Sequence, residues 1–429
     1  MTARPVAPSG DAIAGLDQFD TEIPENGRPT AEVLKQLDEF GSPATTGSAG
    51  PRYFGFVTGG THPAALAASW LTTAWDQNAA LSAMSPVAAR LDSIALDWIK
   101  DLLGLPCQAG AGFVTGATMA NATALAAARD RVLADYGWDS YGDGLVGAPP
   151  VTVYVGEQAH TTIAKALGLV GLGRRRMVVL PSDSQGRIDA AKLPPMGEGP
   201  KIVCTQAGNV NTGACDPFEP IIEWSHDSGG WVHVDGAFGL WAAASPNRRD
   251  LVKGVNKADS WATDAHKWLN VGYDSGVVLV RRSQDLAASL RAEASYLPTG
   301  GDNREPMHYT PQSSQRARGV EAWALLSALG RQGVAQLVDR CCVLAATMAD
   351  ALSQAGLAVV NDVVLNQVLV DLGPDPESVL ERIHTDGTCW AGTTVWEDKT
   401  VLRLSVSNWS TTSEDIEKSV EAIVKAFAG

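Results

Sequence analysis

From residue 110 to residue 282 short runs that are nearly continuous in valine, isoleucine and leucine alternate with segments of helical or turn character. AGFVTG leads into the Ala-rich ATMANATALAAARDRVL, and VTVYVG leads into HTTIAKALGLVG. RMVVLPSD, KIVCTQAG, WVHVDGAF and SGVVLVRR follow at strand length. Strands that are apolar throughout must be covered on both faces, and the crossovers between them place neighbours in parallel. The middle of the chain therefore predicts an α/β domain around a mostly parallel sheet.

The flanks read differently. Residues 1 to about 50 are rich in Pro, Gly, Ser and Thr, with one amphipathic stretch, TAEVLKQLDEF, whose Val33, Leu34, Leu37 and Phe40 form a helical stripe. This predicts an arm that docks elsewhere. Two helices are expected between Pro63 and Leu103, the second opened by Ser85 as a cap with Pro86 at its first position and closed by Gly104. Beyond about residue 310 come a long helical run from Glu321 to Gly356, strands LNQVLVDL and TVLRLSVSN, and a last helix SEDIEKSVEAIVKAF. Helices segregated from a few strands predict a smaller α+β companion domain. The expected division is an arm (1–50), a large domain (51–295) and a small domain (296–429).

Charge and cysteine usage narrow the function. A net charge of −15 argues against a nucleic-acid surface, because binding phosphates takes clustered Lys and Arg. The basic run Arg174-Arg175-Arg176 is short and reads as a solvated turn before a strand. No apolar stretch is long enough to span a bilayer, and the first residues lack the core of a signal peptide, so a cytoplasmic protein is expected. The six cysteines are scattered without metal-ligand spacing, which predicts packed, reduced thiols and neither a metal site nor a disulfide framework.

In an open parallel sheet, ligands bind beyond the carboxyl ends of the strands. Four polar features fall there. VTGAT (114–118) is either a plain strand-to-helix turn or a phosphate cradle at a positive helix terminus, with Thr115 and Thr118 offering hydroxyls and Gly116 allowing close approach. His160, in GEQAH, is a helix cap, a packed ring or a ligand contact. Asp235, ending WVHVDGAFG, needs a partner, either within the protein or a cation of a ligand. Lys267, in DSWATDAHKWLN, is a solvated charge, a nucleic-acid contact or a nucleophile held partly out of water.

Together these are the parts that hold pyridoxal phosphate: a phosphate turn, a stacking ring, a carboxylate for a pyridinium nitrogen and a lysine that forms an imine. On GFVTGATMANATALAAAR, GEQAHTTIAKALGLVGL, WVHVDGAFGLWAAAS and ADSWATDAHKWLNVGYDSGVVLVRR, the chain resembles the group II pyridoxal-phosphate-dependent amino-acid decarboxylases, the family of aromatic-amino-acid and glutamate decarboxylases, over roughly residues 50 to 410. The resemblance implies an aminotransferase-type fold (fold type I), a pyridoxal 5'-phosphate cofactor, a homodimer with sites at the subunit interface, and decarboxylation of an L-amino acid, with an aromatic one expected. It implies Lys267 as the imine-forming lysine, Asp235 at the pyridine nitrogen, His160 on one ring face and Ala237 on the other. Gly116, Ala117 and Thr118 match the phosphate turn, Asp264 and His266 the positions beside the lysine, and YFGFVTGG (53–60) with His62 the substrate-side loop.

Four points stay open on the sequence. Asp264 stands where many relatives carry asparagine; a carboxylate is repelled by a phosphate dianion, so a backbone amide or an arginine is its expected partner. Tyr296 and Tyr309 do not fall convincingly at the position of the loop tyrosine that protonates the carbanion in relatives. An arginine that held the substrate carboxylate in the ring plane would favour transamination over decarboxylation; Arg403, Arg316 and Arg318 are candidates for that or for structural salt bridges, and Trp70, Trp75, Trp390 and Trp396 for an aromatic pocket or for core. The rival readings are a retro-aldol carbon–carbon lyase, an aldehyde-forming decarboxylation-deamination, and a non-catalytic binding protein of the same fold.

Overall fold

The computed structural model describes residues 6–290 and 304–429. Among them, seven strands form one sheet: β1 (Gly110–Val114), β2 (Thr152–Gly156), β3 (Met177–Leu180), β4 (Lys201–Gln206), β5 (Trp231–Asp235), β6 (Ser260–Asp264) and β7 (Gly276–Val280). They lie in the order β1-β7-β6-β5-β4-β2-β3. The pairs from β6 across to β3 are parallel, while β7 runs antiparallel to both β6 and β1. Reversing β7 leaves β1 pointing the same way as β6, so the carboxyl ends of β1, β2, β4, β5 and β6 all reach one edge.

Burial explains the composition of these strands. All residues of β1, β4, β5, β6 and β7 are buried. One face packs under a core that includes Phe113, Val203, Val234, Trp241 and Trp261. The other packs under the Ala-rich helix Ala117–Ala134, whose Ala120, Ala124, Ala127 and Ala128 let it approach the sheet closely. The Arg174–Arg176 turn precedes β3 at the exposed edge.

Two helices, Pro63–Trp75 and Pro86–Leu102, precede the sheet. Ser85 caps the second, its hydroxyl accepting from the Ala88 N–H at 3.3 Å, and Gly104 takes the left-handed conformation just past its end (φ 63°). In the arm, Thr30–Gln36 is helical and the next turn, Leu37–Gly41, widens to π geometry. Val33, Leu34 and Leu37 of its stripe face solvent.

The C-terminal part holds a second sheet, β8 (Ala358–Val359), β9 (Gln367–Asp371), β10 (Gly392–Trp396) and β11 (Lys399–Ser405), in the order β10-β11-β9-β8 and antiparallel throughout. Its core gathers Val368, Leu402 and Leu404 with Val379 and Ile383 of helix Pro376–Asp386 and Ile416 and Ile423 of helix Ser413–Ala428. The latter starts with a reciprocal cap between Thr412 and Asp415. The run expected as one long helix spans Arg318–Gln354 but breaks at Gly330 (φ 61°, ψ −178°). Both sides of that break pack on the large core, through Leu325 and Leu337; only the last turns, from Leu344, join the small one.

Candidate active site

Because five strands end at one edge, five loops meet there around a cavity of about 480 Å³. β1 runs into Thr115–Thr118, β2 leads to His160, β4 ends at Gln206, β5 at Asp235 and β6 at Asp264. Every residue singled out on sequence as a cofactor contact lines this cavity: Gly116, Ala117, Thr118, His160, Asp235, Ala237, Asp264, His266 and Lys267.

Asp235 is 3% exposed. Asn121 Nδ2 donates to its Oδ2 at 3.1 Å and the Ala237 N–H to its Oδ1 at 3.2 Å. Burial raises its pKa above the ordinary carboxylate value, with His160 and Lys267 opposing that rise. Behind Asn121 stands a directed chain. The Trp231 indole N–H donates to Ser260 Oγ at 2.8 Å, and Ser260 Oγ lies 2.9 Å from His233 Nδ1. His233 Nε2 lies 2.9 Å from Asn121 Oδ1, which can only accept, so the proton sits on Nε2 and Nδ1 accepts from the serine. Burial pushes the pKa of His233 down to about 3, which keeps the ring neutral and this direction fixed. The chain ends with both donors of Asn121 oriented by a locked side chain.

His160 fills two of its sequence roles at once. Its Nδ1 accepts from the Thr162 N–H at 3.3 Å, capping helix Thr161–Leu169, while the ring lines the cavity. The His160 N–H donates to Gln206 Oε1 at 3.3 Å. Burial lowers the pKa of the ring, against the pull of Asp235.

Lys267 sits in the turn after β6, with Nζ 3.0 Å from Asp264 Oδ2. The other oxygen of Asp264 accepts the Ala117 N–H at 2.6 Å, so its partner is the backbone amide expected on sequence, joined by the lysine itself. His266 accepts the Ser275 N–H on Nδ1 at 3.0 Å and stacks on Tyr273, ring centroids 4.3 Å apart. Burial lowers the His266 pKa, with Asp264 opposing.

The three arginines separate. Arg316 pairs with Glu321, and Arg318 with Asp274 at 2.9 Å. Arg403, on β11, lines the cavity; the Val210 carbonyl lies 3.5 Å from its Nη1, and it has no ion-pair partner among the described residues. Tyr309 lies away from the cavity with the Arg304 guanidinium over its ring, and Tyr296 lies outside the described residues. None of the four tryptophans lines the cavity. Trp70 and Trp75 are exposed, Trp396 packs with Leu369 and Val401, and Trp390 stacks on Tyr53 at 4.8 Å. Phe56 and Phe238 supply the aromatic walls instead.

The pyridoxal-dependent decarboxylase conserved domain matches residues 14–370. The chain belongs to that family. It is a pyridoxal-phosphate-dependent decarboxylase of fold type I, and the match extends into the arm, further upstream than the sequence motifs alone reach. It is 26% identical to the aromatic-L-amino-acid decarboxylase of Bacillus atrophaeus, over 97% of this chain and 89% of that one. It is 27% identical to a phenylacetaldehyde synthase of a Rosa hybrid cultivar, over 72% of this chain and 63% of that one. In structure it superposes on Oryza sativa TDC with PLP and tryptamine at a TM-score of 0.90, with 23% identity, covering 100% of this chain and 94% of that one.

The decarboxylase's cavity fits its cofactor on observations of its own. At the turn that opens helix Ala117–Ala134, a Cβ on Gly116 would come within 3.1 Å of the His266 ring, so a side chain there would crowd this cradle. The Thr118 and Met119 N–H groups, in the first helical turn, have no carbonyl within the helix and suit an anion. Asp235, bonded to two neutral donors, presents a buried carboxylate to the cavity and suits a protonated ring nitrogen. Sequence reasoning missed Asn121, Gln206 and His233. The last stood in plain view in WVHVD, two residues before Asp235 on the same side of an extended strand.

Proposed function

We propose that this enzyme decarboxylates an aromatic L-amino acid to the corresponding amine, as a cytoplasmic homodimer. The observation that carries this reading is Arg403, a cavity-lining guanidinium without an ion-pair partner among the described residues, set together with Phe56 and Phe238. An amino acid with an aromatic side chain offers a carboxylate for the first and a ring for the others. The B. atrophaeus relative supports the same class.

The proposed roles are those that the family implies for residues lining the cavity. Lys267 would carry the cofactor, and Asp264 Oδ2, 3.0 Å from Nζ, holds the free amine in place before it does. Asp235 would hold a proton on the ring nitrogen, His160 and Ala237 would pack against the ring, and Gly116–Thr118 with His266 would take the phosphate end. When bound, pyridoxal phosphate supplies an electron sink that weakens the bonds at the substrate's α-carbon. Arg403 would draw the substrate in by its carboxylate, and the apolar walls, Val57, Val210 and Phe238, would limit the solvation of that group, which favours its departure as neutral carbon dioxide when it lies out of the ring plane.

A second reading is aldehyde formation, favoured by the phenylacetaldehyde synthase among the relatives and by the packing of Tyr309 away from the cavity. Carbon dioxide with amine, in equal amounts, is expected from holoenzyme given L-tyrosine, L-tryptophan or L-phenylalanine; aldehyde with ammonia, formed with uptake of dioxygen as the oxidant and release of hydrogen peroxide, would favour the second reading. Exposed Leu66, Trp70, Leu71 and Trp75 on helix Pro63–Trp75, with Leu34 and Leu37 of the arm, support a dimer, because apolar surface of this extent marks an interface. The division into an arm (1–50), a large domain (51–295) and a small domain (296–429) belongs to the same proposal; the two separate cores support a large and a small domain, but Leu325 and Leu337 pack with the large one, which moves that boundary toward Leu344.

A further inference from the structure

Three residues after the lysine, Asn270 is fully buried in the left-handed conformation (φ 59°), which asparagine tolerates better than most residues. Its side chain uses all four of its hydrogen-bonding positions. Oδ1 accepts the Gly60 N–H at 2.6 Å and the Trp409 N–H at 3.0 Å; Nδ2 donates to the Trp268 carbonyl at 2.7 Å and the Ser407 carbonyl at 2.9 Å. Two N–H groups and two carbonyls fix which end is which, since a flipped amide would oppose like groups at all four contacts. The backbone of Asn270 is engaged too, its N–H donating to the Lys267 carbonyl at 3.1 Å and its carbonyl accepting from His62 at 2.9 Å.

Three distant segments meet at this one amide: the lysine turn (267–270), the substrate-side loop (55–62) and the segment after β11 (407–409). The contact is close. A Cβ on Gly59 would come within 1.8 Å of the Lys267 carbonyl oxygen, and one on Gly60 within 2.7 Å of the Asn408 amide. The Trp409 indole N–H donates to the Thr61 carbonyl at 3.1 Å, and its ring packs edge-on against His62. Beyond Gly59 the loop supplies Val57 and Phe56 to the cavity, and β11 supplies Arg403.

We propose that Asn270 is a positioning residue whose two halves serve different steps. Its donor half fixes the lysine turn to the segment after β11 through the Trp268 and Ser407 carbonyls; its acceptor half fixes the substrate-side loop to that same segment through the Gly60 and Trp409 N–H groups. The proposal rests on the reading of Lys267 as the cofactor lysine.

Asn270→Asp separates the halves, because a carboxylate still accepts from Gly60 and Trp409 but turns an oxygen toward the Trp268 and Ser407 carbonyls. Asn270→Ala removes both. In holoenzyme assayed on L-tyrosine, L-tryptophan and L-phenylalanine, and normalised to bound cofactor by absorbance, Asn270→Asp is expected to lower kcat about 30-fold or more with KM within about threefold of wild type. Asn270→Ala should lower kcat equally and raise KM about tenfold or more. A simple loss of stability would lower the loaded fraction, which the normalisation removes, without dividing kcat from KM. Either variant keeping both constants within about threefold of wild type overturns the proposal, as does Asn270→Asp moving KM alone. Should neither variant fold, hydrogen exchange of the wild-type holoenzyme decides: peptides over 57–62 and 405–411 should open together, and free exchange of the first beside a protected second overturns the proposal. A wild-type enzyme that yields no carbon dioxide would refute the reading of the activity and leave the exchange result intact.

Discussion

At residue scale the decisive groups are carboxylates and rings held out of water, and each makes a prediction. Asp264 places a negative charge on the helix end where the cofactor's phosphate is proposed to sit, 2.6 Å from the Ala117 nitrogen. Asp264→Asn keeps an acceptor for that amide and removes the repulsion, so its affinity for pyridoxal phosphate should rise about tenfold, equivalent to about 1.4 kcal/mol, in an absorbance titration of the apoenzyme. An unchanged or weaker affinity would show that the carboxylate does not oppose the phosphate. His233 makes a prediction about acid. Its folded pKa of about 3 lies below its ordinary value, so below about pH 6.5 the unfolded chain takes a proton that the folded one refuses. That residue's contribution to stability is intact above about pH 6.5 and declines by about 1.4 kcal/mol per unit as pH falls toward the folded pKa. The stability gap between wild type and His233→Gln, from urea denaturation of the apoprotein between pH 6.5 and 5, should shrink at about that slope; a constant gap would contradict the buried neutral ring. Asp235 and His160 were legible because one ends a recognisable strand and the other opens a helix, and Lys267 because it stands in the turn just after such a strand. Asn121 was not, because its meaning comes from Asp235 and His233, more than a hundred residues away, and no local pattern reports such a partner.

At element scale the strands and caps could be read directly, since they obey local rules: apolar runs for buried strands, Ser85-Pro86 for a helix start. The break at Gly330 could not. The apolar period continues through it, and a glycine within a helical pattern signals only a weak point. Its φ of 61° with ψ near 180° belongs to a region used almost only by glycine. No atom lies within 4 Å of a Cβ built there, so Gly330→Ala tests backbone strain alone. It should destabilise the protein by about 1–3 kcal/mol in denaturant titrations. A neutral or stabilising result would mean that the two helical halves join into one in solution.

At the scale of the whole molecule, the lysine-bearing sheet, the substrate-side loop and the C-terminal strand that carries Arg403 converge on one cavity, though they are distant in sequence. The sequence order of motifs pointed to the cofactor, but the convergence of Arg403 depends on how the two sheets pack, which periodicity does not report. The exposed apolar arm makes its own prediction: deleting residues 1–50 should convert a dimer to a monomer in sedimentation, and a truncated chain that stays dimeric would place the interface elsewhere. Most directly, holoenzyme incubated with L-tyrosine, L-tryptophan and L-phenylalanine should release carbon dioxide and amine in equal amounts from at least one of them. Lys267→Ala should lose both this turnover and the absorbance of the lysine-bound cofactor. Carbon dioxide accompanied by aldehyde and ammonia, or no carbon dioxide from any of the three, would contradict the account.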